Sequence, residues 1–442
     1  MSIVATDNKV LAVHLRTIKM TFLKHVSAIV LCSLSVIVLA QPQEFHRDSA
    51  LNISPGTLIN AANIDAFSDN MDEAVATFVK NGDTEILVGA PIKIDIHPNY
   101  VEATPKNTST VKLGKETGDL EGYITGRPFP GIPSLDDPRA GEKTIWNMRY
   151  GYAPDESETE LMTWLYKNMS SDSPERSLQM YGSIMRFTHR HTSHQRPELS
   201  SNPQDLFSAL YLWVKYPQDV RNTQLLTYTK NQDSDTEQAF IYLNTQRRVR
   251  RISPGQKTDA FLGSDIMIED FLGYNGRIRD QVWEFLGEKD ILAPVYAYND
   301  LPASSKEVSG DFEVLGFNGA GQCFPSITWQ PRKVYLLKAT PKEPGHPLSH
   351  RIFSIDASTF TPLLTRIYDR AGKLWKLGMV AISNSANHLP ENAAWQGAIT
   401  DAVSMIDIQA RHCTTIQFRT KLPDKGLKPQ MFTTQQMRSA GR

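Results

Sequence analysis

The sequence predicts an α+β fold: a large curved antiparallel sheet, a half-barrel, with helices covering its concave face. Two observations lead there. Short runs rich in Leu, Ile, Val, Tyr, Phe and Thr follow one another from Met180 to Ile252 and again from Lys333 to Ile382, each bounded by Asp, Asn, Ser, Pro or Gly. Helical periodicity is confined to a few other segments. A twisted sheet of roughly eight strands or more tends to curl, and helices laid over the hollow would enclose apolar space.

The elements follow in chain order. From Leu58 to Val79 the apolar residues Met71, Ala74, Val75 and Phe78 recur at helical spacing, and Asn81-Gly82-Asp83 stops the helix. Glu85–Val88 reads as a strand, and Pro91 to Leu120 as irregular or edge structure. The loop from Thr125 to Pro133 is set by Gly and Pro, which predicts a fixed, packed connection. A helix is expected from Pro138 to Tyr150, burying Ile145, Trp146 and Met148. Strands are then expected at Met180–Phe187, Leu206–Trp213, Gln224–Thr229, Ala239–Leu243 and Gln246–Ile252. Further strands, at Lys333–Ala339, Arg351–Asp356, Thr361–Tyr368 and Leu374–Ile382, are joined by Asp- and Gly-bearing turns. Trp395 to Arg411 reads as a helix with Ala398, Ala402, Met405 and Ile406 on one face.

The chain starts with a targeting signature. Lys24 and His25 precede an uncharged run from Val26 to Ala40, and Val38-Leu39-Ala40 meets Gln41-Pro42. That is the order of a secretory signal peptide, with Met20 as the expected true start. The alternative is an N-terminal anchor, but about 15 residues fall short of the roughly 20 that a spanning helix needs. Lipidation at Cys32 is disfavoured by the bulky Val30-Leu31. Residues 1–40 are therefore expected to be removed, which leaves 442 − 40 = 402 residues, 41–442, as a single domain with an extended start. No linker or fixed-period repeat divides them.

Composition and export narrow the function. The 47 basic and 48 acidic residues nearly balance, so no bulk charge attracts nucleic acid or an anionic membrane. Of three cysteines, Cys32 leaves with the signal peptide. Cys323 and Cys413 remain as a pair in an oxidising compartment, where a disulfide is expected to contribute about 3–4 kcal/mol in the chain-entropy model. Two separate buried thiols are the alternative.

Chemistry-bearing motifs are mostly missing. There is no G-x-S-x-G, H-E-x-x-H, C-x-x-C, P-loop or strand-linked G-x-G-x-x-G. His189, His191 and His194 raise a metal site. On a continued strand His189 and His191 share a side, but His194 faces away and no acid follows until Glu198. Asp259, Asp265, Glu269 and Asp270 raise paired catalytic acids or a calcium loop, yet their spacing fits neither, and solvated turn residues are the plainer reading. The run Arg247, Arg248, Arg250, Arg251 is the strongest charge feature. On a strand it puts Arg248 and Arg250 on one face, and Arg247, Val249 and Arg251 on the other. It reads either as a dock for acidic lipid heads or an acidic partner, or as an edge strand protected by charge. Trp283, Phe285, Tyr335 and Trp375 are core residues or, in a half-open sheet, the hydrophobic wall of a ligand site.

Together these segments carry a resemblance. The stretch Tyr123 to Asn147, with Gly126-Arg127-Pro128-Phe129-Pro130, Asp137-Pro138, Ala140-Gly141 and Trp146-Asn147, resembles the bacterial domain-of-unknown-function family 1329. So do Arg247 to Arg251 followed by Asp259 and a Gly-containing acidic loop, Gln330 to Tyr335, the hairpins from His350 to Trp375, and the closing Phe432 to Arg438. The family is similar to periplasmic carriers that sort lipoproteins to the outer membrane (LolA/LolB-like). The resemblance implies a half-barrel with an apolar cavity, and an outer-membrane barrel-like protein and an inner-membrane exporter as partners. No catalytic residue carries over. The expectation is a non-catalytic periplasmic carrier or accessory protein, without cofactor or metal, that binds a lipid or other hydrophobic molecule. The rivals are a docking module with a packed interior, and a hydrolase using the acids between 259 and 270.

Overall fold

Strands that bury residues on both faces build the molecule. In the computed structural model, which describes residues 45–441 except 152, 192–194 and 424, thirteen strands join one antiparallel run. In chain order they are β1 (Glu156–Asn168), β2 (Arg176–Arg186), β3 (Leu206–Tyr216), β4 (Gln224–Lys230), β5 (Gln238–Leu243), β6 (Arg248–Ile252), β7 (Gln281–Ala293), β8 (Thr328–Pro341), β9 (Leu348–Asp356), β10 (Pro362–Asp369), β11 (Leu374–Asn384), β12 (Ala398–Asp407) and β13 (His412–Lys421). In space, β7 to β13 form one meander and β1 to β6 another, joined where β13 pairs with β1. Two short strands, Leu58–Ile59 and Ile86–Val88, extend the sheet beside the start of β8. The signal-peptide segment and His194 lie outside the described residues.

The sheet curls without closing, so β6 and β7 remain its edges. Register shifts interrupt most pairings, among them Phe285/Gly287, Ile367/Tyr368, Ala381/Ile382 and Arg419/Thr420. Each such irregularity raises the local twist. On the concave side Leu348 of β9, Ile416 of β13, Trp164 of β1 and Leu225 of β4 belong to one continuous apolar cluster that spans both meanders.

The face opposite that cluster is also covered. Helix α1 (Glu73–Lys80), capped by Asp72 at Ala74 N–H (3.0 Å), buries Ala74, Val75, Phe78 and Val79 with Leu377, Met379 and Ala381. Cys323 and Cys413 form a disulfide with Cα atoms 6.0 Å apart, tying the β7–β8 connection to β13. The C-terminal helix Thr434–Ala440 packs beside β5 and β6, and its Met437 joins Phe432 in a cluster that reaches from β2 to Val249 of β6.

Three expectations need correction. Trp395 to Arg411 contains strand β12, not a helix. Ala402 and Ile406 are four apart, a spacing that serves period 2 as well as 3.6. Met405 turns to the other face, where it joins the cluster holding Trp164. The irregular segment Pro91 to Leu120 contains helix α2 (Pro98–Thr110), although it has poor helix formers and Pro105 inside it. Tertiary bonds decide here: Asn107 donates to the carbonyls of Thr125 (2.9 Å) and Arg127 (2.8 Å), and Arg127 N–H donates to Thr104 Oγ1 (2.9 Å). Those bonds also hold the proline loop. Finally, of the stretch Leu58 to Val79, only α1 is α-helical and two single 3₁₀ turns precede it.

Helix α3 (Ala140–Arg149) lies against the concave side of β7 and β8. Its approach depends on Gly141, where a Cβ would stand 2.4 Å from the Trp283 carbonyl oxygen.

Candidate functional site

The concave face is the part of the fold whose covering is least regular. Residues 253–280 leave edge strand β6, cross the hollow and enter edge strand β7. They form short 3₁₀ turns with left-handed residues at Leu262, Gly263, Leu272 and Gly273. Yet Phe261, Ile266, Met267, Ile268 and Phe271 are all buried on the floor formed by β1 to β4 and β9, β10, β12 and β13. Trp164 of β1 is the centre of that contact, with Phe261 and Phe271 edge-on at 5.7 and 6.3 Å. This segment is hereafter the plug.

Polar ties hold the plug to the sheet. Arg351 of β9, only 1% exposed, donates to Glu269 (2.8 Å) and Asp270 (3.1 Å). Burial would raise the Glu269 pKa, but Arg351 and His346 overcome it and bring it to about 2. Asp270, more deeply enclosed, is raised by burial, with Arg351 opposing. Arg351 itself is held above its ordinary value: burial lowers it, and the two acids outweigh that. A second tie centres on Asp265. Its carboxylate accepts from Thr414 Oγ1 (2.7 Å) and lies 2.8 Å from His412 Nδ1, and its carbonyl accepts from Lys376 Nζ (2.6 Å). At the far end, Asp233 accepts from the backbone N–H of Ile278 and Arg279 (both 2.8 Å), and Arg149 donates to the Gly276 carbonyl.

The acids singled out in the sequence are thus mostly structural. Asp265, Glu269 and Asp270 face cations or hydroxyls of the sheet, while Asp259 is exposed beyond a 3₁₀ turn. The histidines do not share a strand face: β2 ends at Arg186, and His189 has φ of +58°. His189 contacts the Ile124 carbonyl (2.7 Å) and Asn231 Oδ1 (2.9 Å); His191 is buried 3.2 Å from Asp155. Among the described residues no group of three His, Cys, Asp or Glu is arranged to hold a metal.

The four aromatic wall residues are divided. Trp283, Phe285 and Tyr335 join one cluster under α3, where Trp283 Nε1 donates to the Ile278 carbonyl (2.8 Å) and the Phe285 and Tyr335 rings lie 5.9 Å apart. Trp375 is half-buried beside the plug's cluster and donates to Asp407 (2.7 Å). In the arginine run, Arg247 stands before the strand in a left-handed conformation, which corrects its expected place on the strand face. Arg248, Arg250 and Arg251 are exposed on β6. Sequence reasoning missed Arg351, Lys376 and Trp164. Single Arg, Lys and Trp residues on strands carry no motif; an unbalanced group of acids was the signal that buried cations had to exist somewhere.

Fold and site together define a half-open antiparallel sheet protein whose concave apolar floor is occupied by its own chain. A family model described as "Protein of unknown function (DUF1329)" matches residues 58–438, and the chain belongs to that family. None of the curated proteins compared with it matches. Similar solved structures include a domain named for outer membrane lipoprotein sorting from Vibrio parahaemolyticus (15% identity, 68% of this chain and 100% of that one, TM-score 0.46). A DUF1329 family protein from Desulfovibrio piger shows 14% identity over 68% and 98% of the two chains, TM-score 0.45. A LolA superfamily protein from Nitrosomonas europaea shows 11% identity over 65% and 93%, TM-score 0.37.

Proposed function

We propose that this protein is a non-catalytic periplasmic carrier for a lipid or other hydrophobic molecule, and that the ligand replaces the plug on the concave floor. One observation carries the reading: five buried apolar side chains of an irregular segment cover a continuous apolar floor, while the bonds that hold the segment at its ends and along its length are polar. The magnitudes allow an exchange. Five such side chains at roughly 1.5–3 kcal/mol each represent about 8–15 kcal/mol of burial, and an acyl chain of about 16 carbons at ~0.8 kcal/mol per methylene returns about 13. Trp283, Phe285, Tyr335 and Trp375 then form the flank of the site rather than its floor.

The disulfide supports an oxidising compartment, and no helix among the described residues is long and apolar enough to cross a membrane. Partners in both membranes, an outer-membrane barrel-like protein and an inner-membrane exporter, belong to the same proposal.

A docking module without a ligand cavity is the second reading. It is favoured by two surface depressions: one of about 690 Å³ with a mixed lining that includes Ala61, Ala62, Asp83 and Glu85, and one of about 340 Å³ lined by charged residues such as Arg277, Arg279 and Asp280. Native mass spectrometry after periplasmic expression, with a fluorescent acyl amine added to the delipidated protein, separates the two. Co-purified lipid or saturable probe binding supports the carrier; neither, in folded protein, sinks it.

A further inference from the structure

We infer that edge strand β6 is a docking strand that adds an acidic extended segment of a partner protein to the sheet. β6 pairs with β5 on one side only, from Arg248↔Leu243 to Ile252↔Ala239. Its outer side therefore offers backbone N–H and C=O groups in the arrangement that a further strand takes up. The strand also carries the chain's densest positive charge. Arg248, Arg250 and Arg251 are exposed, Arg247 precedes them in a tight turn, and none of the four forms an ion pair among the described residues. Arginines elsewhere in the sheet, such as Arg332, Arg351, Arg366 and Arg419, are matched with acids. Among the described residues the β6 cluster has no acidic partner.

Geometry chooses between a protein and a membrane. The β6 charges do not form one plane. Ile252 packs into the concave cluster and Val249 into the opposite one, so Arg248 and Arg250 project on the concave side and Arg251 on the other. An anionic bilayer would meet only one of these sides. An added strand meets both, because its side chains alternate across the sheet as those of β6 do. The complementary segment has acids opposite Arg248 and Arg250 on one face and opposite Arg251 on the other. Read antiparallel, it has the order acid-acid-apolar-acid, with the apolar residue beside Val249. Charge supplies steering and register, and the backbone supplies the fit.

The inference is independent of the ligand reading. The test measures fluorescence anisotropy of a labelled peptide with the order Thr-Glu-Glu-Val-Glu-Thr, against the same peptide with Pro in place of Val. Saturable, salt-sensitive binding is expected to fall about tenfold or more for the proline peptide and for R248Q/R250Q/R251Q. The charge-reversed R248E/R250E/R251E protein should instead select the peptide with Lys for Glu, which guards against a variant that merely folds poorly. Equal binding of the proline peptide, no binding by folded wild-type protein, or preference for phosphatidylglycerol vesicles over the peptide overturns the inference. In those cases the arginines protect a free edge or meet a membrane.

Discussion

Arg351 Nη2 lies 2.8 Å from Glu269 Oε2, and this buried contact fastens the irregular plug to strand β9. The same nitrogen reaches Asp270 at 3.1 Å, so one guanidinium serves two carboxylates. Removing a partner from a buried pair costs far more than the pair contributes, because the remaining charge keeps its desolvation penalty.

Arg351→Met is therefore expected to destabilise the protein by about 3–5 kcal/mol. Urea denaturation measures it. Adding Glu269→Gln and Asp270→Asn to the same protein should recover a good part of the loss, since no unpaired charge then remains. A loss under about 1 kcal/mol in the single variant would show that the tie does not hold the plug.

Acid should act on the same contact. Against burial, which would raise it, Arg351 and His346 depress the Glu269 pKa to about 2 in the folded protein, below its ordinary value of 4.5. A depressed carboxylate contributes stability that is present above its unfolded pKa and lost as pH falls through the folded one. The loss should thus run from about pH 4.5 down to about 2, and Glu269→Gln should flatten stability against pH across that window. Identical pH slopes in the two proteins would contradict it.

Lys167 gives a slope of the same sign at high pH, for a different reason. Burial lowers its folded pKa from 10.5 to about 8, although its Nζ donates to the Gln322 carbonyl at 2.8 Å. Above pH 8 the folded state releases this proton first, so the Lys167 contribution rises between about 8 and 10.5. Lys167→Met should remove that rise in a comparison of denaturation midpoints at pH 8 and 10.

Gly141→Ala should disturb α3. The new methyl would sit 2.4 Å from the Trp283 carbonyl oxygen, so the helix has to move away from β7. Overpacking of this kind costs about 1–3 kcal/mol. Thermal unfolding and the environment of Trp283, read by near-ultraviolet circular dichroism, should both change. An unchanged melting temperature would show that the helix is not held so closely.

Much of the sheet was legible because its strands carry dense β-branched and aromatic runs between turn residues. β1 and β13 were not. Glu156–Asn168 opens with the acids Glu156, Glu158 and Glu160, and His412–Lys421 is rich in Thr, Gln and Arg, so neither resembles an apolar strand. Their polar residues are taken up by neighbours, as in Thr159 with Thr420 (2.9 Å) and Arg419 with Glu160 (2.9 Å). α2 was hidden for the same reason, since its helix rests on bonds to a loop distant in sequence. The pair Cys323 and Cys413 followed from counting. The plug was legible only as an acidic loop. Its apolar residues Phe261, Ile266 and Phe271 have no period, because an irregular backbone imposes none, and its cations sit on strands that follow it by many residues.

The most direct test of the central claim is where a bound ligand lies. A photoreactive acyl probe, cross-linked to the wild-type protein and mapped by mass spectrometry, should label floor residues such as Trp164 and Met180. Labelling should increase in Arg351→Met, whose plug is released. Labelling confined to exposed residues such as Ile132 and Leu135, with none on β1 or β2 in either protein, would show that the concave floor is core and not a ligand site.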